Sequence, residues 1–495
     1  MPFQFVDQSD IKNTKERKLI RSHVMKGKNL GKKRPRREKR SESTAEKSTT
    51  AHRTGSAPSP SGNESALATS GRRTQCESPV LAVTRQLAND FSLLFPTKGV
   101  ASHTMLHLQQ LCFYILDVTS PAEFCRSTGV FEWIWFQLAF YNKAYFHCTI
   151  AIASACAAFL SGDSGHSPIA LCHMSETYRL VNQQLSSNKT VSDTTVAVVA
   201  SVNIYDRLYG DPEKAMVHHN GLASLIALRG GIRELAKRNF VISEKAFRSD
   251  IELALHCGSN PKFSSQDVPR HLILIDPRGY PEPYKHKDAE LADSILYLSV
   301  CPELCGVVLD ILRFSHVLDQ ASRADKLDPA AYQTTLIYVG YRLLETKLPR
   351  YVSGANTNFD VLVHLALTGF HNTFCFGVGR KLLRFPFLME RFGLAARAIS
   401  ISDGDRSRQM VTFWALLVGR LSSLTHGDDL WLVSKLKALA SELGVRTWPE
   451  VSNALRSFPW VKAAHEAQGE EFWNTEIGCA LPLNTCTLPH DSRPI

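Results

Sequence analysis

The sequence predicts an all-α protein, in which a large multi-helix body follows a disordered, basic N-terminal tail. Three observations support this prediction. Apolar residues recur at helical spacing through most of residues 81–478, helix start and stop signals repeat along that range, and the excess positive charge is concentrated in the first fifty residues.

The N-terminal tail, residues 1–40, is the most unusual part of the sequence. Residues 1–50 contain 15 Lys or Arg and 6 Asp or Glu, a net charge of +9, whereas the formal net charge of all 495 residues is +10. Residues 26–40 hold nine basic side chains, and two glycines and a proline keep the segment extended. Such a run is typical of a nuclear import signal read by an importin, and it suits contact with nucleic-acid phosphates. The nine residues are Lys26, Lys28, Lys32, Lys33, Arg34, Arg36, Arg37, Lys39 and Arg40.

Residues 14–25 precede this segment and are predicted to form one short basic helix. Arg17 and Arg21 are separated by one helical turn, and Lys18 lies beside them. No leucine heptads follow, so a basic leucine zipper is not predicted. Recognition of a specific base sequence by this tail alone is not expected either, because base readout needs a rigid element in a groove.

Residues 41–80 form a predicted disordered linker. They contain nine Ser, six Thr, three Pro and three Gly, with no aromatic residue and a single leucine. Such a segment cannot bury enough apolar area to offset an ordering entropy of roughly 1–2 kcal/mol per residue.

Residues 81–478 are predicted to form the helical body, and residues 479–495 a C-terminal tail. Residues 84–95 and 103–118 show helical spacing, and residues 146–160 are too short an apolar run to span a bilayer, so they predict a buried core helix. Asp211 and Asp328 each precede a proline and are predicted N-caps, and the Gly230–Gly231 pair is a stop signal.

An irregular, proline-rich stretch at 258–287 interrupts the helical pattern. It is either a boundary between two helical lobes or a long surface loop within one domain. Residues 272–275 are the one segment whose composition resembles a β-strand.

The histidines and cysteines of the body show no convincing metal or catalytic arrangement. His218 and His219 diverge by about 100° on a helix and cannot chelate one ion together, and His219 is expected to pack in the core. Cys301 with Cys305 supplies only half a zinc site, and His364, His371 and Cys375 share a face that more often means interior packing. We therefore expect no cofactor and no enzymatic activity.

Two further motifs are better explained by structure than by chemistry. Residues 162–165 match the short serine-nucleophile motif of trypsin-like proteases but lie among helices, so a helix–helix turn is expected. Asp428 and Asp429 lack the further carboxylate that a magnesium site would need, and they are predicted to cap the N-terminus of a helix. The twelve scattered cysteines fit a reducing compartment.

Three stretches together resemble one family, the fungal-specific transcription factor domain family. Residues 21–29 (RSHVMKGKN) resemble an N-terminal motif of fungal regulatory proteins. Residues 215–231 (AMVHHNGLASLIALRGG) are similar to a helix and glycine turn of that domain. Residues 458–465 (FPWVKAAH), followed by Phe472, Trp473 and Glu476, are similar to its C-terminal end.

The resemblance implies a nuclear transcriptional regulator with a large helical regulatory domain, and control of a metabolic gene set is the task it suggests. Many members carry an N-terminal cluster of six zinc-binding cysteines, but the first cysteine here is Cys76, so we expect the subgroup with a basic arm and no zinc cluster. Importin, DNA and proteins of the transcription machinery are the expected partners, with no membrane. The alternative is a nuclear adaptor that does not bind DNA and acts through partner proteins.

Overall fold

The computed structural model describes residues between 104 and 478, with gaps of which the longest are 127–137, 277–290 and 347–354. The described residues are predominantly α-helical, which confirms the predicted fold class. In the first half, the helices whose bounds are described are α1 (Lys143–Ser161), α2 (Pro168–Ser186), α3 (Asp193–Leu208), α4 (Pro212–Leu228), α5 (Ile232–Arg238) and α6 (Phe240–Cys257). The predicted tail and linker lie outside the described residues.

The second half continues with helices and contains a small hairpin. Its helices are α7 (Ile295–Ser299), α8 (Pro302–Arg323), α9 (Pro329–Glu345), α10 (Ala355–Cys375), α11 (Pro386–Ala398), α12 (Arg406–Leu421), α13 (Leu430–Leu443), α14 (Trp448–Ala454) and α15 (Lys462–Phe472). The antiparallel strands β1 (Gly377–Val378) and β2 (Lys381–Leu382) follow α10. Short 3₁₀ turns cover Ser265–Asp267, Arg270–Leu272 and Leu455–Ser457, and a π-helical turn covers Trp473–Ile477.

The predicted helix ends are confirmed where the structure describes them. The carboxylates of Asp211 and Asp328 accept hydrogen bonds from backbone N–H groups in the first turns of α4 and α9, and a proline occupies the first helical position of each helix. Asp429 occupies the predicted N-cap position of α13, but its carboxylate accepts a hydrogen bond from the backbone N–H of His426 at 2.8 Å and none from the first turn of the helix, and Asp428 lies outside the described residues. Gly230 and Gly231 follow α4 with φ of 94° and 90°, a conformation that side chains rarely adopt, so glycine is required at this stop.

Helix α1 is a core helix, as its apolar sequence predicts. It is long and apolar enough to span a membrane by length and composition, but most of its middle is buried within the fold. The buried side chains, including Cys148 and Ile150, pack where α1 contacts α2 and α3.

Helix α6 lies at the centre of the fold. It packs against α3, α4 and α5 from its own half of the sequence and against α9 and α11 from the other half. The predicted boundary at 258–287 remains a prediction, and helices on both sides of it contribute to one hydrophobic core.

The strand suggested for residues 272–275 is wrong. Leu272 ends a 3₁₀ turn, and the next residues form a turn with no strand beside them in the described part of the chain. The backbone N–H of Leu274 instead donates to the Thr335 hydroxyl of α9 at 2.9 Å. The apolar side chains of Ile273 and Ile275 are buried, which explains the strand-like composition.

Candidate functional site

The basic residues predicted to mediate import and nucleic-acid contact lie outside the described residues. This applies to the segment 26–40, to Arg17, Lys18 and Arg21 of the predicted basic helix, and also to residues 162–165. Their roles therefore stay predictions, and the described candidate site is in the helical body.

Several of the histidines and cysteines weighed as metal ligands are hydrogen-bonded to backbone oxygens. The thiol of Cys305 lies 3.5 Å from the backbone oxygen of Cys301, one turn earlier. His364 and His371 each donate from Nε2 to a backbone oxygen of α9 at 2.9 Å. Burial lowers the pKa of His371 to about 4, so its imidazole is neutral at physiological pH. Within the described residues, no three His, Cys, Asp or Glu side chains are arranged to hold a metal ion.

His219 pairs with a carboxylate in the core of the domain. Its Nε2 atom lies 2.7 Å from Oδ1 of Asp250 in α6, and both side chains are 2% exposed. The prediction that His219 packs in the core is confirmed, because Leu222 and Ile226 on the same face of α4 are also buried. Sequence reasoning missed the carboxylate that pairs with it.

Asp250 is a junction between four parts of the chain. Besides His219, its carboxylate accepts hydrogen bonds from the backbone N–H groups of Lys262 and Phe263 at 2.9–3.0 Å and from the Tyr341 hydroxyl of α9 at 2.9 Å. A buried carboxylate needs this many donors, because the loss of hydration is otherwise uncompensated. The single side chain thus joins α4, α6, the segment after α6 and α9.

The neighbouring histidine makes a second pair on a different face of α4. His218 Nδ1 lies 2.5 Å from Oδ2 of Asp206 in α3, and the ring of Tyr178 in α2 stacks on the imidazole. Burial, and next the negative charge of Asp206, raise the pKa of the Tyr178 hydroxyl. Two adjacent histidines therefore attach α4 to different helices. We call Asp206, His218, His219, Asp250 and Tyr341 the His–Asp network.

A buried ion pair lies beside the His–Asp network. Arg207 of α3 forms a bidentate pair with Glu252 of α6, at 2.7 Å from Nε and 2.6 Å from Nη2. The remaining guanidinium nitrogen donates to the side chains of Asn203 and Ser249. Every guanidinium nitrogen of Arg207 therefore has a hydrogen-bond partner, as a buried charge requires.

Glu244 and Lys245 place two further charges in the first half of α6. Burial raises the pKa of Glu244 to about 7, and its Oε2 atom has no hydrogen-bond partner among the described residues. Burial lowers the pKa of Lys245 to about 8, and its Nζ donates to the Tyr145 hydroxyl at 3.3 Å. This end of α6 therefore has two groups that titrate near neutral pH.

The C-terminal motif forms a second polar centre. The carboxylate of Glu466 accepts hydrogen bonds from the indole N–H groups of Trp448 and Trp460, at 3.1 and 3.0 Å, and from the Ser452 hydroxyl at 2.7 Å. Burial opposes its charge, but these hydrogen bonds outweigh that effect and lower the pKa of Glu466. The stretch that resembles the end of the family domain is thus a packed joint around one acid.

These polar centres have a structural role, because they hold helices together. The carboxylates of Asp250, Glu252 and Glu466 are each occupied by several protein donors, so they are engaged as connections between helices. One signal in the sequence could have identified Asp250: it lies at i+3 from Phe247 and i−4 from Ala254, inside the apolar stripe of α6. An acid in such a stripe requires a buried partner.

The architecture defines an all-α domain in which buried polar clusters connect helices distant in sequence. Residues 115–274 match the model of the fungal specific transcription factor domain. This match contains four members of the His–Asp network and confirms the family resemblance for this part of the chain. The chain matches no curated protein and no solved structure. A domain of this family indicates a transcriptional regulator.

Proposed function

We propose that the protein is a nuclear transcriptional regulator, whose helical domain binds partner proteins and whose basic arm directs import and contacts DNA. The observation that carries the proposal is the family match over residues 115–274, combined with a net charge of +9 in residues 1–50. Control of a metabolic gene set rests on the family resemblance alone.

The basic arm suits two tasks, recognition by import receptors and contact with DNA phosphates. The nine basic residues of segment 26–40 provide the pattern that import receptors read. The same charges neutralise phosphates and release counterions, so DNA binding through the arm falls steeply as salt rises. The domain body contributes no comparable excess, since the chain beyond residue 80 is neutral overall.

Import is tested by imaging the tagged full chain in cells. We expect nuclear accumulation that is lost when residues 26–40 are deleted. Deletion of residues 61–75, an equally long piece of the Ser- and Thr-rich linker, is the matched control and is expected to leave accumulation unchanged. Nuclear accumulation that survives deletion of 26–40 would contradict the import role.

DNA contact is tested by gel-shift titrations at several salt concentrations. We expect the full chain to bind duplex DNA with an affinity that falls by about tenfold or more between 50 and 200 mM salt. Replacing Lys32, Lys33, Arg34, Arg36 and Arg37 with Gln is expected to remove that binding. Unchanged binding by this variant would remove the arm from the DNA interface.

The alternative is a nuclear adaptor that reaches DNA only through a partner. It is favoured by one observation: the first cysteine is Cys76, so the basic tail has no thiolates for a zinc cluster. Purified protein that fails to bind DNA, together with chromatin association that depends on a co-purifying protein, would favour this alternative over the first proposal.

A further inference from the structure

Two histidine side chains face each other where α1 and α2 pack together. Nδ1 of His147 lies 2.8 Å from Nδ1 of His173, and the ring centroids are 5.0 Å apart with 33° between the ring planes. Both residues are half-buried, and α1 and α2 are in extensive contact. The pair lies within the family match but outside the His–Asp network.

Both imidazoles are predominantly neutral at physiological pH. Burial lowers the pKa of His147, an effect that Glu176 opposes and Arg179 and Lys143 reinforce. Burial and the neighbouring ring lower the pKa of His173. Two neutral rings at this distance share one proton between the Nδ1 atoms, because two facing lone pairs repel. A neutral imidazole nitrogen is also the form that binds metal ions.

We propose that His147 and His173 form a binding site for a divalent transition-metal ion, with Zn²⁺ or Cu²⁺ as the best-suited ions. Imidazole nitrogens bind zinc at about 2.0–2.1 Å, so two ligands lie about 2.9 Å apart at a right angle and about 3.4 Å apart at a tetrahedral angle. The observed 2.8 Å needs only a small opening of the pair to reach this range. The ion takes the place of the shared Nδ1 proton, which moves through solvent to Nε2 of the same ring, so both imidazoles stay neutral and bind the ion through Nδ1.

The protein supplies two ligands, and solvent completes the coordination sphere. No third His, Cys, Asp or Glu among the described residues is placed to complete a three-ligand set. Glu176 is the acidic group whose charge acts on His147, and it is held by Arg179 at 2.5 and 2.8 Å. Because the protein supplies only two imidazoles and the nearby charges have both signs, we expect a micromolar affinity for the metal ion, which allows reversible binding.

Occupancy would join α1 to α2. Because the two ligands come from different helices, the site exists only in the folded domain, and ion binding raises the thermal midpoint of unfolding. This inference is independent of DNA binding and import, and it adds a metal response to the family-matched part of the chain.

The test uses the purified full chain with one equivalent of Cu²⁺ and, separately, calorimetric titration with Zn²⁺. We expect electron paramagnetic resonance to show coupling to two imidazole nitrogens, and Zn²⁺ binding that weakens at least tenfold in His147→Gln and in His173→Gln. The matched control is His426→Gln, which removes one exposed histidine elsewhere. Equal spectra and affinities in wild type and both variants would overturn the proposal.

A measurement on the wild-type chain covers the case in which a variant does not fold. Diethyl pyrocarbonate modifies accessible histidines, and mass spectrometry locates the modified residues. We expect 100 µM Zn²⁺, about a hundredfold above a micromolar Kd, to protect His147 and His173 but not His426. Modification of the pair at the same rate with and without Zn²⁺ would contradict the site.

Discussion

His219 Nε2 lies 2.7 Å from Oδ1 of Asp250, although the two residues are 31 positions apart. The contact connects α4 to α6 inside the family-matched segment, and the Tyr341 hydroxyl attaches the same carboxylate to α9, outside that segment. The buried polar centre therefore extends beyond the matched segment, because a helix outside it supplies one of the hydrogen bonds to Asp250.

Asp250→Asn is expected to lower the free energy of unfolding by about 2–4 kcal/mol. In asparagine an amide nitrogen replaces one carboxylate oxygen of Asp250. Because this nitrogen cannot accept a hydrogen bond, some of the buried donors around it lose their partner. Urea denaturation followed by circular dichroism measures the change. The control is Asp405→Asn at the exposed N-cap of α12, where Asn and Asp are nearly equivalent caps, so a change below about 0.5 kcal/mol is expected.

A double-mutant cycle with Tyr341→Phe tests whether the hydroxyl acts through Asp250. Tyr341→Phe alone should cost about 1–3 kcal/mol, because it removes a hydrogen bond to a charged group. In the Asp250→Asn background the cost should be smaller by at least about 0.5 kcal/mol. Strict additivity would mean that the two residues stabilise the fold independently.

Glu244→Gln is expected to stabilise the protein at alkaline pH. Since burial raises the pKa of Glu244 from 4.5 to about 7, the folded chain binds more protons than the unfolded chain between these values. Wild-type stability therefore falls as pH rises through this window, by up to about 3 kcal/mol. The neutral glutamine avoids this loss, so the variant should gain most at pH 8 and little at pH 5.

Urea denaturation at pH 5, 6, 7 and 8 checks this prediction. The control is Glu213→Gln in the first turn of α4, an exposed carboxyl, whose effect should change little over this window. A stability difference between Glu244→Gln and wild type that stays constant from pH 5 to 8 would contradict the buried-acid interpretation.

Gly419→Ala is expected to destabilise the contact between α11 and α12. A Cβ atom at this position would lie 2.1 Å from Cζ of Phe392, whose ring is fully buried. Overpacking of this kind costs about 1–3 kcal/mol, more than the helix propensity gained from alanine. Thermal unfolding should show a lower midpoint.

Gly221→Ala is the matched control for this substitution. Gly221 lies inside α4, and a Cβ atom there meets no atom within 4 Å. Alanine should therefore stabilise the protein by about 0.5–1 kcal/mol. Opposite signs for the two substitutions are expected, and destabilisation of similar size at both positions would contradict the packing at Phe392.

Glu466→Gln is expected to destabilise the C-terminal joint by about 1–3 kcal/mol, since three donors converge on its carboxylate. Because the pKa of Glu466 is lowered in the folded protein, this contribution is present above its unfolded pKa and disappears as pH falls through its folded pKa. Tryptophan emission should shift, as Trp448 and Trp460 lose a charged acceptor. Glu470→Gln, an exposed change on the same helix, should leave emission unchanged.

Local signals predicted the parts of the fold that depend on neighbouring residues. Asp211 and Asp328 were recognisable as N-caps, and Gly230 and Gly231 as a helix stop, because caps and glycine turns are built from contacts within a few positions. The burial of His219 was also predictable from helical periodicity. The strand prediction for residues 272–275 was wrong because a run of four apolar residues has the same composition in a buried turn as in a β-strand.

The sequence by itself determined the helical class, several helix ends and the concentration of charge in the first fifty residues, since these follow from composition and short-range spacing, and its resemblance to one family is matched over residues 115–274. Only the tertiary structure decided which buried groups meet. Asp250 reaches Tyr341 across 91 positions and His147 reaches His173 across 26, because helix packing brings distant turns together. Side-chain partners of this kind depend on how helices cross, which no local pattern specifies.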